Sequence, residues 1–316
     1  MNFDFNAAVQ PPFRMQPDLR RLADGAPQLT PLEPGCRHQR EKLAVLCAHP
    51  QRALVSMAGF DAAPALAALA HHAAEERPAA WSWDGRRASA RRLGVAVQGQ
   101  TVFEMSMGVF GLGDEIARCL RGLPGESRLI GLMALAFAED FAIVDGATGT
   151  IPWIAACLPS FWAPRDKVGR HFAEVHAPVA DNALLVRAGD RLMRMVSGPD
   201  RWERFVWTVT RHPRLNAHPE AVDLAPWPAD AFADDSVPQA WFRSEHQTFM
   251  PVPALRQAVF TIGVDSVPMA QAIDAPWKAA CLHDAIASMS DAVLAYRGLV
   301  DVRAPLLAWL AARAAT

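Results

Sequence analysis

No run of apolar residues in this 316-residue chain reaches the roughly 18 that a bilayer-spanning helix needs; the longest candidate breaks at Glu139 and Asp140. A membrane-spanning protein is therefore not expected. The five cysteines, Cys36, Cys47, Cys119, Cys157 and Cys281, form an odd set without a C-x-x-C pair. That argues against a disulfide framework, a zinc knuckle and a cysteine-ligated iron–sulfur cluster, and reads as reduced thiols in a cytoplasm. Neither charge sign dominates: 31 basic residues face 33 acidic ones, and the arginines form no stripe that would follow a nucleic-acid backbone. The opening MNFDFNAAVQPPF lacks the basic start and apolar run of a signal peptide, so export is not expected. G-x-G-x-x-G, G-x-x-x-x-G-K-[ST], H-E-x-x-H and G-x-S-x-G are all missing, which leaves dinucleotide, P-loop, zincin and hydrolase chemistry without local support. The near miss GVFGLG at 108 to 113 has its glycines misplaced for a phosphate cradle and reads as a turn into the helix DEIARCL.

What is present is a chain that is 51% hydrophobic, enough for a core and an enclosed pocket together. Residues 1 to 35, rich in proline, are expected to form an irregular arm, and 36 to 316 one α+β domain. Helical spacing recurs over 37 to 48 and 61 to 76. Alternation over 92 to 108 predicts one or two strands. Ser127 is placed to cap an apolar helix running to about Asp140, followed by a strand FAIVD. WFRSEHQTFMPVP and RQAVFTIGV have the length and β-propensity of an antiparallel hairpin, with helices expected at about 276 to 298 and 302 to 314. The stretch from 217 to 238 reads as a long surface loop.

Most histidines invite a plain reading. His71 and His72 sit at the solvated end of a helix, and His49, His212 and His218 each adjoin proline in loops. His176 differs in its address, closing the short helix in DKVGRHFAEVHAPV, with Pro178 expected to push Ala177 toward an extended conformation. An imidazole at a helix C-terminus can donate Nδ1–H to a last-turn carbonyl, which fixes the tautomer and leaves Nε2 bare for a metal. The helix dipole favours histidine there with no metal at all, so the residues alone leave both readings open. Haem is the one metal group for which a lone histidine suffices, because the porphyrin brings four nitrogens of its own.

Two blocks carry a family resemblance. Glu139 and Asp140, then Pro159, Ser160, Trp162, Lys167, Gly169, His176, Pro178 and Val179, form one. Arg243, Glu245, Gln247, Thr248 and Pro253 with Phe260, Thr261 and Ile262 form the other, and Arg204 and Trp207 agree more weakly between them. Together these resemble the haem-dependent oxidative N-demethylases. The resemblance implies an enlarged PAS-like fold holding haem b, with His176 as proximal iron ligand and O2 as co-substrate. It also implies electrons from a separate flavin and iron–sulfur reductase, since this chain has no motif for either.

Oxidative loss of an N-methyl group inserts oxygen into a strong C–H bond, after which the hemiaminal collapses to formaldehyde and the shorter amine. No side chain performs that insertion, so a cofactor must. Histidine gives the iron less electronic push than thiolate, which shifts weight onto acid–base groups across the pocket. In a strand, Arg243, Glu245 and Gln247 share one face, and Ser244, His246 and Thr248 the other. The first set is expected to line the pocket: Glu245 pairing with a substrate ammonium or relaying protons, Arg243 holding a propionate or an oxygen ligand. The bland alternative is a surface ion pair of small energy. His246 joins them as a catalytic candidate, and Lys167, Trp162, Arg204, Trp207 and Gln247 join His176 as cofactor-binding candidates. His246 stands where the family has arginine, and Gly263, Val264 and Asp265 replace its next stretch, which separates haem binding from the choice of a dimethylamine-like substrate. The expectation is a cytoplasmic monooxygenase acting on a small amine, with homo-oligomerisation left open. The alternatives are a non-catalytic PAS-like haem sensor of O2, NO or redox state, and a haemless homologue in which His176 is only a helix cap.

Overall fold

The computed structural model describes residues 3–223, 225–228, 230–233 and 239–315. Ahead of the first long helix lie a short helix α1 (Phe5–Ala8), capped by the Asp4 carboxylate at Ala7 N–H, and a two-residue strand β1 (Arg20–Arg21). Helices α2 (Arg37–Ala48) and α3 (Pro50–Ala53) lead through strand β2 (Leu54–Ser56) to α4 (Ala63–Glu76). A four-stranded antiparallel meander follows, β3 (Trp81–Trp83), β4 (Arg87–Ala90), β5 (Val95–Gln98) and β6 (Thr101–Glu104), then α5 (Glu115–Gly122) and α6 (Arg128–Ala136). Next come β7 (Glu139–Asp145), β8 (Thr150–Ala155), α7 (Phe172–His176) and α8 (Ala183–Val196), then β9 (Trp202–Thr210), β10 (Trp241–Val252) and β11 (Gln257–Pro268). The chain closes with α9 (Met269–Ala272), α10 (Pro276–Ala287), α11 (Asp291–Tyr296) and α12 (Arg303–Ala314). This is the α+β class that the sequence pattern predicts.

The larger sheet has seven strands in the order β1-β9-β10-β11-β7-β8-β2, each pair antiparallel. Its backbone is the predicted hairpin, with Trp241 opposite Pro268 and Val252 opposite Gln257. The two strands are joined through Pro253–Leu255 and the left-handed Arg256. One face, carrying Trp207, Phe242 and Val259, is buried beneath α4, α6 and the C-terminal helices. The opposite face carries Ala142, Val144, Ile154 and Ala258, covered by Met193 and Val196 of α8. That second face extends to the site.

Three local expectations fail for tertiary reasons. The apolar helix stops at Ala136, with Phe137 already extended, and Glu139 and Asp140 open β7 instead of closing a helix. Both acids are buried: Glu139 accepts the Thr30 N–H, and Asp140 meets the buried Lys42 ammonium at 3.1 Å. The helix expected over 276 to 298 breaks after Ala287, where Ser290 caps a new one through the Val293 N–H. Ala177 is helical, not extended, because Asn182 Nδ2 donates to the carbonyls of His176 and Ala177 and holds the turn through Pro178. The described part of the 217 to 238 stretch is irregular, and the rest of that predicted loop lies outside the described residues.

Candidate active site

Helix α7 is only five residues long, and its ends are pinned. His171 caps it, Nδ1 accepting Ala173 N–H while the Glu174 carboxylate accepts His171 N–H, and His171 Nε2 reaches Asp190 of α8 at 3.1 Å. His176 closes it. Its Nδ1 lies 2.9 Å from the Phe172 carbonyl, which can only accept, so the proton is on Nδ1. Burial pulls its pKa down to about 4, with Arg204 and Lys167 adding to the fall, so the ring is neutral and Nε2 carries a free lone pair. Phe172 stacks on the ring at 4.0 Å and limits its rotation.

Of the two charges acting on His176, Arg204 belongs to the sheet face described above and Lys167 to the connection between β8 and α7. Register puts Arg204 of β9 opposite Gln247 of β10, and Val206 opposite Glu245, so alternation brings Trp202, Arg204, Glu245 and Gln247 to one side. Gln247 Nε2 donates to one Glu245 oxygen at 2.5 Å, and Ser160 Oγ to the other. Lys167 lies over the Trp162 ring at 5.3 Å; burial lowers its pKa, which the Asp166 and Glu245 charges oppose. Gly169 has φ +78°, which allows the chain after Lys167 to turn back and donate to the Ile151 carbonyl. Around these polar groups Trp162, Val168, Phe172, Val175, Trp202, Phe249 and Phe260 stay partly exposed against the α8 core cluster. The result is a half-buried apolar surface edged by charge.

Arg243 is on the same face but has a different task. Only 1% exposed, it sends Nε to Ser160 Oγ at 2.7 Å and its two amino groups to the carbonyls of Arg214, Leu158, Pro159 and Leu215. The fork expected to hold a propionate or an oxygen ligand is engaged by the protein's own backbone. It positions Ser160, which in turn orients Glu245. His246 and Trp207 point to the other face: His246 pairs with Glu203 at 2.7 Å and stacks on Phe205, while Trp207 Nε1 donates to the Ala8 carbonyl. Neither lies on the face that carries Glu245. Asp140 also serves it indirectly, accepting the Leu158 N–H at 2.6 Å just before Ser160.

Sequence reasoning assigned no role to Ser160, Trp202 or Tyr296. Alternation from Arg204 points to Trp202, two residues earlier on the same strand. Nothing local points to Tyr296 of α11: partial burial raises its phenol, Arg297 opposes, and the Glu245 charge adds to the rise, so it stands within electrostatic reach of the carboxylate.

Two buried donors in this region, Arg204 Nε and Trp202 Nε1, have no hydrogen-bond partner among the described residues. An unpaired buried donor costs about 1–3 kcal/mol, so both suit an acidic group brought by a ligand. A neutral histidine whose Nε2 has no partner among the described residues, half-buried aromatic side chains and cationic donors beside them fit haem: an axial base, ring walls and partners for propionates. Among the described residues no three of His, Cys, Asp and Glu cluster as a metal site, and haem asks for one.

Fold and site together define an α+β protein with a neutral histidine beside the charged face of an antiparallel sheet. From residue 38 to 307 the chain matches the family described as haem-dependent oxidative N-demethylase, alpha subunit-like, and it belongs to that family. The family name carries haem dependence and oxidoreductase chemistry, and its subunit designation is compatible with a separate partner chain.

Proposed function

We propose that this chain is a haem monooxygenase that removes a methyl group from a small, dimethylamine-like amine. The observation that carries the reading is the tautomer of His176, whose Nδ1–H is held by Phe172 and whose Nε2 is bare in the field of Arg204 and Lys167. Haem b would be held by His176 Nε2, with Arg204, Trp202 and Lys167 placed for its acidic edge and Trp162 and Phe172 for its ring. When bound, haem supplies the O2-dependent oxidation that no side chain can perform. The overall balance is amine N–CH3, O2, two electrons and two protons giving the shorter amine, formaldehyde and water. The electrons require a separate flavin and iron–sulfur reductase.

Glu245 is the acid–base and ammonium-binding group in this reading. Gln247 and Ser160 hold its two oxygens, so it keeps one orientation, and Arg243 fixes Ser160 as a positioning residue. A PAS-like fold agrees with the sheet: β7, β8, β9, β10 and β11 lie in spatial order two-one-five-four-three, with α7 and α8 between the second and third. Cytoplasmic residence belongs to the same proposal, supported by five free thiols.

Protein expressed with haem available should absorb in the visible, and His176→Ala should lose or shift that spectrum; a colourless wild type sinks the haem reading. Reduced protein mixed with dimethylamine and O2 should release formaldehyde. Stable oxygen binding without product from any secondary or tertiary amine would favour the sensor.

A further inference from the structure

A cavity of about 550 Å³, whose lining does not include His176, lies between α2, the end of β8 and the segment from 214 to 221. We propose that it binds a small organic monocarboxylate, a reading independent of haem and of demethylation.

The charge pattern of the lining selects an anion. Its two acids are already satisfied: Glu41 accepts Arg37 Nε and the Asn216 N–H, and Glu220 accepts Arg52 at 2.9 Å and Arg165 at 2.7 Å. Among the open donors are His218 and Arg214. His218 is 5% exposed, and its Nδ1 accepts the Glu220 N–H at 3.1 Å, so the ring proton sits on Nε2, which has no partner among the described residues. Arg214 has one long contact, 3.5 Å to the Ala221 carbonyl, and no ion pair among the described residues, while its own carbonyl is anchored by Arg243. A guanidinium and a fixed N–H donor beside neutralised acids recognise a carboxylate. Ala44, Val45, Ala48 and Ala156 line the remainder with apolar atoms, which suits a short hydrocarbon body. The volume falls within the range of small-molecule sites, about 300–1,000 Å³.

Calorimetric titration of the full-length protein with butyrate, inorganic phosphate and n-butylamine tests the assignment. Saturable binding of butyrate is expected, weakened about tenfold or more by Arg214→Gln, largely kept by Arg214→Lys, and blocked by Ala48→Trp, which fills the cavity without altering its charge. No saturable butyrate binding, or equal affinity in wild type, Arg214→Gln and Ala48→Trp, overturns the site. Phosphate or butylamine binding in place of butyrate overturns the ligand class. Arg214 and Ala48 are both exposed, so neither substitution threatens the fold.

Discussion

Replacing Arg243 by methionine removes a guanidinium that is 1% exposed and hydrogen-bonds four backbone carbonyls and the Ser160 hydroxyl. Those carbonyls come from two loops, 158–160 and 214–215, which otherwise touch through the short bridge between Ser160 and Ala217. Bonds to a charged donor are worth about 1.5–3 kcal/mol each in isolation, but the carbonyls recover part of this by rearranging and admitting water. The expected net loss is about 3–5 kcal/mol, the usual cost of breaking a buried charged network, set against a typical total stability of about 5–15 kcal/mol. Lysine keeps the charge but not the planar fork, so Arg243→Lys should lose about half as much. Urea denaturation measures both, and similar slopes for all three proteins would show that the unfolded reference is unchanged. An Arg243→Met protein within about 1 kcal/mol of wild type that had nonetheless lost formaldehyde production would refute the clamp and make Arg243 a group in contact with the reactants.

Other perturbations separate the remaining roles. Glu245→Gln should cut formaldehyde formation by about 10²–10⁴, the range for a lost acid–base group, while leaving the haem spectrum of the purified protein near wild type; a spectrum lost along with activity would instead make Glu245 part of the cofactor cradle. His176 has a folded pKa of about 4, below its model-peptide value near 6.5. Its neutral form therefore stabilises the haem-free protein above pH 6.5, and that contribution fades as pH falls from 6.5 to 4. A His176→Gln variant should show a flatter stability profile across that window in acid titration, and an identical slope would argue that the ring is solvated. Lys42→Met leaves Asp140 charged and buried, at an expected cost of about 3–5 kcal/mol measured by thermal denaturation, which the double variant with Asp140→Leu should partly restore.

Much of this site was legible before any coordinates. The capped helix ending at His176, its free Nε2 and the hairpin alternation that puts Glu245 and Gln247 together all follow from spacings of a few residues. Local hydrogen bonds and the two-residue period of a strand decide them, so the sequence itself contains the answer. The resemblance added Lys167, Trp162 and Arg204; Lys167 and Arg204 carry the charges that act on His176, and Lys167 lies over the Trp162 ring.

The same resemblance named Trp207 and Arg243, His246 was added as a catalytic candidate at one of its departures, and here sequence reasoning stops. Whether a strand residue meets the site or the opposite core depends on which helices cover each face, a matter of packing between segments far apart in the chain. Trp207 is claimed by Ala8 and His246 by Glu203. Arg243 has the correct face yet is taken up by the backbone, because two loops 28 and 85 residues away bring their carbonyls to it. Glu139 and Asp140 read as a helix end only while Lys42, about a hundred residues earlier, is out of view. Short-range periodicity thus determined the elements and the histidine's chemistry by itself. Long-range burial alone decided which polar groups are open to a ligand and which the protein consumes, because an unsatisfied charge in the interior must take whatever partner the fold supplies.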